Sequence, residues 1–422
     1  MKKRLLPILL LGGVMLVQNA SAQFTLDGEI NTRTELRNGF KRPILDSQNP
    51  ALFTEQRSRL YFGYMEGAME LKITLQDVRI WGAVDQIFKS DPTLSNVNEA
   101  WGKYKFGKSA VKIGRQELNY DRSRFLGSLA WALQSRSHDV ALYQYADDST
   151  GVKLDVGVAF NQDANTPEFR KLTSTFYSGV GNYKSMQYAW FNKKLSGGSL
   201  SLLAHNSTMQ TGTVDTSSVT NVQTMGGLFK TKVSDKVGIL IESYYQSNFL
   251  GGSDVSALYV GLEASLKASD KASFILGGEY MTGEDGTGTS FNAFNPAYGT
   301  NHAFNGFMDY FYVGNPHGNV GLINPYLKST FVVSPKSKLL AHLHGFMSQV
   351  DIGDNFLGSE LDLVFVTKLA PSVVFKLGTS HISVTDSMKG IKGIANVDDA
   401  ASLNTWSWAQ IVFTPHFLQG NN

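Results

Sequence analysis

Cysteine is absent from all 422 residues, so no disulfide can staple the fold and a packed core or a membrane must hold it. Beyond the first 22 residues no apolar run is long enough for a membrane-spanning helix. Length alone would allow two or three soluble domains, yet no Pro/Ser-rich linker and no shift in composition divides the chain. Arginine is also missing from the whole stretch after Arg170. The later basic positions include Lys230, Lys232, Lys328, Lys368 and Lys376, with His342, His344 and His381.

What is present begins with a targeting signal. Lys2-Lys3-Arg4 is a basic start, Leu5 to Val17 an apolar run, and Ala20-Ser21-Ala22 a small-residue cleavage site. Together they predict a secretory signal peptide over 1–22, cut before Gln23, with a single mature domain over 23–422. The apolar run is short for a membrane anchor, and the cleavage site follows at once. Removing Lys2, Lys3 and Arg4 takes the formal net charge from +2 to −1. Bulk charge therefore says little about partners, and the placement of charge has to carry that question.

From residue 24 onward one pattern repeats to the end. Phe24, Leu26, Gly28, Ile30, Thr32, Thr34 and Leu36 alternate with Thr25, Asp27, Glu29, Asn31, Arg33, Glu35 and Arg37. Met69 to Gln76, Val152 to Asn161 and Leu258 to Leu266 repeat it. This is the period of strands that are apolar on one face and strongly polar on the other. It predicts an all-β transmembrane antiparallel β-barrel of about 18 strands, the first near 24–37, the sixth near 133–145 and the last near 402–414. An even strand number is what a single-chain outer-membrane barrel requires.

The connections form a second signal. Those after even-numbered strands are short and turn-like, such as Gly67, Gly107-Lys108 and Ser234-Asp235. Those after odd-numbered strands are mostly long: 38–53, 82–96, 119–132, 162–183, 208–220, 283–318 and 384–401, with 249–254 and 352–356 more modest. Short periplasmic turns and long extracellular loops are the habit of bacterial outer-membrane barrels, and a soluble sandwich gives no reason for it. Tyr64, Tyr104, Tyr188, Trp190, Tyr245, Trp406 and Trp408 lie in or near strands, where amphipathic rings favour the headgroup level; ordinary strand propensity accounts for any one of them as well.

Charge gathers where strands border loops, above all between Gly114 and Tyr145. Arg33, Arg57, Arg59, Arg79, Arg115 and Arg136 fall in early strands or at their ends, and Arg122 and Arg124 in the loop after the fifth. A soluble core would not hold so many charges on an inward face; a water-filled lumen would. Such a wall can serve as a ladder of carboxylate sites, because guanidinium matches carboxylate geometry and stays charged. It can equally be structural, since Asp27, Glu29, Glu35, Glu55, Asp77, Glu99, Glu117 and Asp155 share the same strands. Parity places Arg33 inward, whereas Arg79 and Arg115 need a bulge near Asp77 and near Gly114 to point into the lumen.

Several phrases resemble the alginate-export family of outer-membrane barrels: Gln76-Asp77-Val78-Arg79-Ile80-Trp81-Gly82, Lys112-Ile113-Gly114-Arg115-Gln116-Glu117-Leu118, Arg136-Ser137-His138-Asp139, and Phe294-Asn295-Pro296-Ala297-Tyr298-Gly299-Thr300-Asn301-His302 with Phe304-Asn305-Gly306 and Asp309-Tyr310-Phe311. The resemblance implies a monomeric 18-stranded pore passing a linear polyuronate through an electropositive lumen, with Arg79, Arg115 and Arg136 as pathway positions. The lack of arginine in the later strands departs from a bore lined with arginine on every side.

Other chemistries fit poorly. His342 and His344 share a strand face at i, i+2, but two histidines without a third ligand in view read as polar lumen filling. Ser137-His138-Asp139 has the residue types of a hydrolytic triad, yet neighbours on a strand point to opposite faces. No Gly-x-Ser-x-Gly elbow sits between a strand and a helix. No enzyme, cofactor, metal or nucleic-acid partner is expected. The expectation is a passive channel in the bacterial outer membrane for anionic oligosaccharides or polysaccharides, with a general porin or a glycan-binding barrel as alternatives. Loop 283–318, rich in Phe, Asn, Gly and Tyr, is expected either to fold into the barrel mouth as a constriction or to pack among extracellular loops. Gln23 should be found as the mature N-terminus, in a protein that fractionates with the outer membrane and migrates differently in gels before and after heating; recovery from the soluble periplasm would contradict the barrel.

Overall fold

The structure, a computed structural model, describes residues 23–83, 94–163, 176–177, 179, 182–213, 215–248, 254–311 and 319–418. The signal-peptide segment lies outside the described residues. Antiparallel strands follow one another around a single closed sheet. They are β1 (Gln23–Asn38), β2 (Ala51–Glu66), β3 (Met69–Ile80), β4 (Leu94–Phe106), β5 (Ser109–Gln116), β6 (His138–Asp147), β7 (Val152–Phe160), β8 (Ser185–Leu195) and β9 (Gly198–Thr211). The second half continues with β10 (Ser218–Lys232), β11 (Val237–Ser247), β12 (Ser256–Lys267), β13 (Ala272–Met281), β14 (Leu322–Ser334), β15 (Ser337–Met347), β16 (Phe356–Ala370), β17 (Val373–Val384) and β18 (Leu403–Phe413). The chain breaks its last strand at Thr414-Pro415 and resumes it over His416–Leu418. Closure is made by β1, which pairs with β2 on one side and with β18 on the other, Ile30 opposite Phe413 and Leu26 opposite Leu418. An 18-stranded antiparallel barrel results, as the alternation predicts.

The two faces are the reverse of a soluble protein's. Ile30, Leu60, Ile73, Val158, Leu262, Leu276, Leu343 and Leu377 are exposed on the outer wall. Asn31, Arg33, Glu35, Gln76, Glu242, Glu279, Glu360, Asp362 and Gln410 are buried on the inner wall. In lipid every backbone N–H and C=O needs an internal partner, and a closed barrel supplies all of them between strands. The outer belt then faces acyl chains, and the barrel belongs in the bacterial outer membrane. The described turns after even-numbered strands are short, for example 107–108 and 335–336, and the long connections follow odd-numbered ones.

Three differences from the sequence expectation have local causes. The sixth strand begins at His138 rather than near 133, because residues 133–137 belong to a segment folded into the barrel. The ninth connection shrinks to 212–217, because polar residues there still pair across the hairpin: Thr208 Oγ1 donates to Asn221 Oδ1 (2.7 Å) and Gln223 Nε2 to Asn206 Oδ1 (2.6 Å). Of the aromatic residues expected at the headgroups, Tyr104 and Tyr245 are exposed, but Tyr188, Trp406 and Trp408 are buried against material inside the barrel. Trp190 also turns inward, donating from Nε1 to Asp121 (3.1 Å). Alternation fixes which face a residue takes, and β18 places both tryptophans on the inner one.

Leu276 lies midway along β13 and is 66% exposed on the lipid face. Leu276→Arg should destabilise the barrel by roughly 2–4 kcal/mol, measured by urea unfolding in lipid vesicles, whereas Ser273→Arg, on the inner face near the periplasmic turn, should cost far less.

Candidate functional site

Two connections enter the barrel and meet there. The first runs over 117–137 between β5 and β6, the second over 282–321 between β13 and β14. They are joined through backbone: Leu126 and Tyr298 form a parallel bridge, Gly127 N donates to Tyr298 O (2.9 Å), and Thr300 N donates to Ser123 O (2.8 Å). Gly127 and Gly299 are needed here, since a Cβ at either would stand 2.4 Å from Thr300 Oγ1 or 2.2 Å from Arg124 O. The second loop carries the aromatic residues, and the inward alternative is the one adopted. Phe294, Tyr298, Phe304, Met308, Tyr310 and Phe311 are all buried; Phe291 is exposed, and Tyr312 lies outside the described residues.

The first loop grips the wall with charge. Arg124 is fully enclosed: it donates to Glu279 Oε2 (3.2 Å) and to Asn301 and Asn305, with Tyr259 and Phe304 on its faces at 4.6 Å. Burial works against this guanidinium's charge, but Glu279 more than offsets it and holds the pKa above its ordinary value. Arg122 reaches Glu263 (2.6 Å) on β12, with Glu242 at 3.9 Å. On the opposite side Trp131 stacks on His302 at 4.5 Å and packs edge-on against Trp406 and Trp408. Tyr120 donates to Asp155 (2.9 Å) on β7. The second loop docks further round: Met308 N donates to Glu360 Oε1 (2.8 Å), Asn295 N to Gln246 Oε1 (2.9 Å), and Tyr310 OH to Gly39 O (2.8 Å). The connection after β17 closes over it, with Lys392 Nζ donating to Tyr310 O. Burial, helped by Arg42, lowers the Lys392 pKa to about 7.

The arginines of β1 and β2 are turned inward but occupied. Arg33 is 3% exposed, bonded to Glu35, Glu55 and the Trp131 carbonyl. Arg57 binds Glu29 (2.6 Å) and the Leu133 carbonyl (3.1 Å); Arg59 binds Gln76 (2.7 Å) and Ser135 (2.9 Å). Arg136 also sits inside, donating to Gly299 O (3.3 Å) and so tying one loop to the other. Arg79 and Arg115 do not line the bore. Each lies on the outer face at the extracellular end of its strand, Arg79 against Asp77 (2.6 Å) and Arg115 against Asp139 (2.8 Å). The bulge needed near Asp77 is on the neighbouring strand, where Asn98 of β4 is the extra residue between Glu99, opposite Thr74, and Val97, opposite Leu75. That leaves the parity of β3 unchanged. Near Gly114 (φ 125°) the ladders to β4 and β6 run without a slip. His138 points inward and Asp139 outward, so they cannot act together.

Unengaged positive charge lies lower in the barrel. A cavity of about 510 Å³ on the periplasmic side of the first loop is lined by Lys103, Lys153, Tyr120, Asp121, Asp155 and Trp190, among others. Lys230 and Lys232 border the adjoining periplasmic cavities. Among the described residues, none of these four lysines lies within ion-pair distance of a carboxylate. Lys230 and Lys232 are among the later basic positions of the sequence, and strand parity adds Lys103 and Lys153.

No protein-family profile and no curated protein sequence matches the chain. Solved structures do. A Pseudomonas aeruginosa OccK2 (OpdF) structure in complex with glucuronate aligns with a TM-score of 0.59 at 11% identity, over 94% of this chain and 97% of that one. The P. aeruginosa outer membrane protein opdK gives 0.59 at 13% identity, over 94% and 99%. A BenF-like porin from Pseudomonas fluorescens gives 0.61 at 10% identity, over 93% and 99%. The fold is that of an outer-membrane porin. At these identities the likeness concerns the fold, and it does not single out the alginate-export family.

Excising 287–312 should raise single-channel conductance severalfold in planar bilayers, in a barrel that stays heat-modifiable. An unchanged conductance would mean that the loops inside the barrel do not limit flow.

Proposed function

We propose that this protein is a monomeric, passive outer-membrane channel for small anionic solutes, with carboxylates such as single uronates as the preferred class. The observation that supports it is the separation of charge within the bore. The arginines of β1 and β2 are spent on carboxylates and loop carbonyls, while Lys103, Lys153, Lys230 and Lys232 face the periplasmic cavities. A charge at the wall of a narrow, low-dielectric passage acts more strongly on a passing ion than one on an open surface. Lysines of this kind hold a carboxylate loosely enough to release it, as conduction requires. Tyr120 and Trp190 beside Lys153 offer faces for a sugar or aromatic ring. Glucuronate and vanillate in the OpdF and OpdK complexes have this chemistry.

Passage of polyuronate chains, the finer expectation from sequence, is less well supported by the geometry. A ladder for a polymer needs exposed guanidinium heads in succession. Arg33, Arg57, Arg59 and Arg124 are buried, and the two interlocked loops stand across the path. A chain would have to displace them together.

In liposome swelling, glucuronate should enter faster than glucose, and alginate oligomers should neither enter nor speed swelling. In a salt gradient the channel should prefer anions, and Lys103→Gln/Lys153→Gln/Lys230→Gln should shift the reversal potential toward cations. The shift should fade near 1 M salt, where screening acts within about 3 Å. A wild-type channel without anion preference at low salt would overturn the proposal; one blocked by alginate oligomers at low concentration would return the polyuronate reading to first place.

A further inference from the structure

The inner wall carries a group of titratable side chains that stands apart from the periplasmic cavities and touches the tip of the second loop. His342 and His344 lie two apart on β15, and the register sets Asp362 of β16 opposite His342 and Glu360 opposite His344. Ligand atoms of His342, His344 and Asp362 all lie within 4.8 Å of one another. Asp362 and Glu360 are each 1% exposed, and His344 is 2% exposed.

The hydrogen bonding there is incomplete. His342 Nδ1 is buried without a hydrogen-bond partner, and the adjoining Asp362 oxygens and Glu360 Oε2 make no well-formed hydrogen bond, with Ser380, the Phe307 backbone and each other as their nearest polar company. A buried polar atom left unmet is costly, more so when it is charged, and their gathering in one place favours a ligand that takes lone pairs from several of them at once. Its sign follows from the surroundings. Two carboxylates face one nearby ammonium, that of Lys328, which stands opposite His342 on β14 and is 3.4 Å from Ala303 O. The other charged neighbours, His302 and Asp309, are bonded to each other at 2.7 Å. His344 is also oriented for coordination. Its Nδ1 lies 3.1 Å from Asn324 Oδ1, which can accept a hydrogen bond from it and so leave Nε2 free for a metal. Metal-bound histidines are held in this way by a partner behind them.

We propose that His342, His344 and Asp362, with Glu360 beside them, bind a divalent cation of the zinc class. Two imidazoles with carboxylate oxygens select zinc, copper or nickel over magnesium and calcium, which favour all-oxygen shells. Around four-coordinate zinc, bonds of about 2.0–2.1 Å bring ligand atoms closer together than 4.8 Å, so binding draws the two strands' side chains inward. Glu360 also accepts from Met308 N at the tip of the second inner loop. The cation therefore sits where wall and loop meet and braces one against the other. None of this depends on which solute the channel passes.

Chelator-treated, detergent-solubilised barrel should take up one equivalent of Co²⁺ with visible ligand-field absorption, and Zn²⁺ should displace it. His342→Gln/His344→Gln should abolish uptake, and Asn324→Ala should weaken it about 10- to 100-fold. His381→Gln and His416→Gln, whose histidines are exposed on the outer wall and at the last strand, should leave it unchanged. Heat-modifiable migration identifies the variants that fold. X-ray absorption of the zinc-loaded wild type needs no variant and should show two imidazole ligands. Absence of uptake, zinc without imidazole scattering, or uptake indifferent to the double substitution would overturn the site and leave a proton shared between Glu360 and Asp362.

Discussion

A guanidinium carried to the middle of a barrel must meet its counter-charge there, and the interior of this protein is arranged around that requirement. Arg124 arrives on a loop after the fifth strand, and Glu279 waits on the thirteenth. Arg122 finds Glu263 on the twelfth. Removing one member of a buried pair leaves the other uncompensated, which costs about 3–5 kcal/mol. The attraction itself need not stabilise the barrel much, because both charges lost water in forming it. What it does is specify position: the loop has one place where its charges are matched. The stacking of Trp131 on His302 and the backbone bridge from Leu126 to Tyr298 then build on a loop already located.

The two kinds of cation are placed differently. Guanidinium is planar and offers five donors, so it can satisfy a carboxylate and a carbonyl at once, as Arg57 does with Glu29 and Leu133. Ammonium is a compact, well-hydrated charge on a flexible stem. It serves better where a passing anion should be attracted and then let go. The arginines of β1 and β2 find their loop partners early in the chain, at the Trp131 and Leu133 carbonyls and the Ser135 hydroxyl. Histidines and acids take over the inner wall of β15 and β16.

The strands were legible because lipid outside and polar groups inside impose an alternation that has no soluble counterpart. Leu276 and Glu279, three residues apart, already stand on opposite faces by that rule. The loop rich in Phe and Tyr was legible as material in need of burial, though not its docking places, which depend on Glu360 and Gln246 on strands far away in sequence. The directions of Arg79 and Arg115 were not legible. For Arg79 the direction hinges on which strand of a pair holds the extra residue, and Asn98 looks no different from its neighbours; for Arg115 it hinges on there being no slip at Gly114. Asp362 was hidden from the histidines for a similar reason: cross-strand partners are set by register between strands, and register cannot be read from either strand alone. The tryptophans of β18 were misplaced because an aromatic ring on a strand is equally at home against lipid headgroups and against another ring.

The parallel bridge between Leu126 and Tyr298 has a consequence in time as well as in space. The barrel is built from hairpins whose partners are neighbours in the chain, so those contacts close small loops. The bridge joins segments on opposite sides of most of the sheet, and its closure entropy is repaid only when the intervening strands are in place. The first inner loop lacks its docking wall until β11 to β13 have formed, because Glu263 and Glu279 do not yet stand where Arg122 and Arg124 end. The first inner loop therefore cannot take its final place before β11 to β13 stand, and the narrow passage of the mature protein is completed only after those strands.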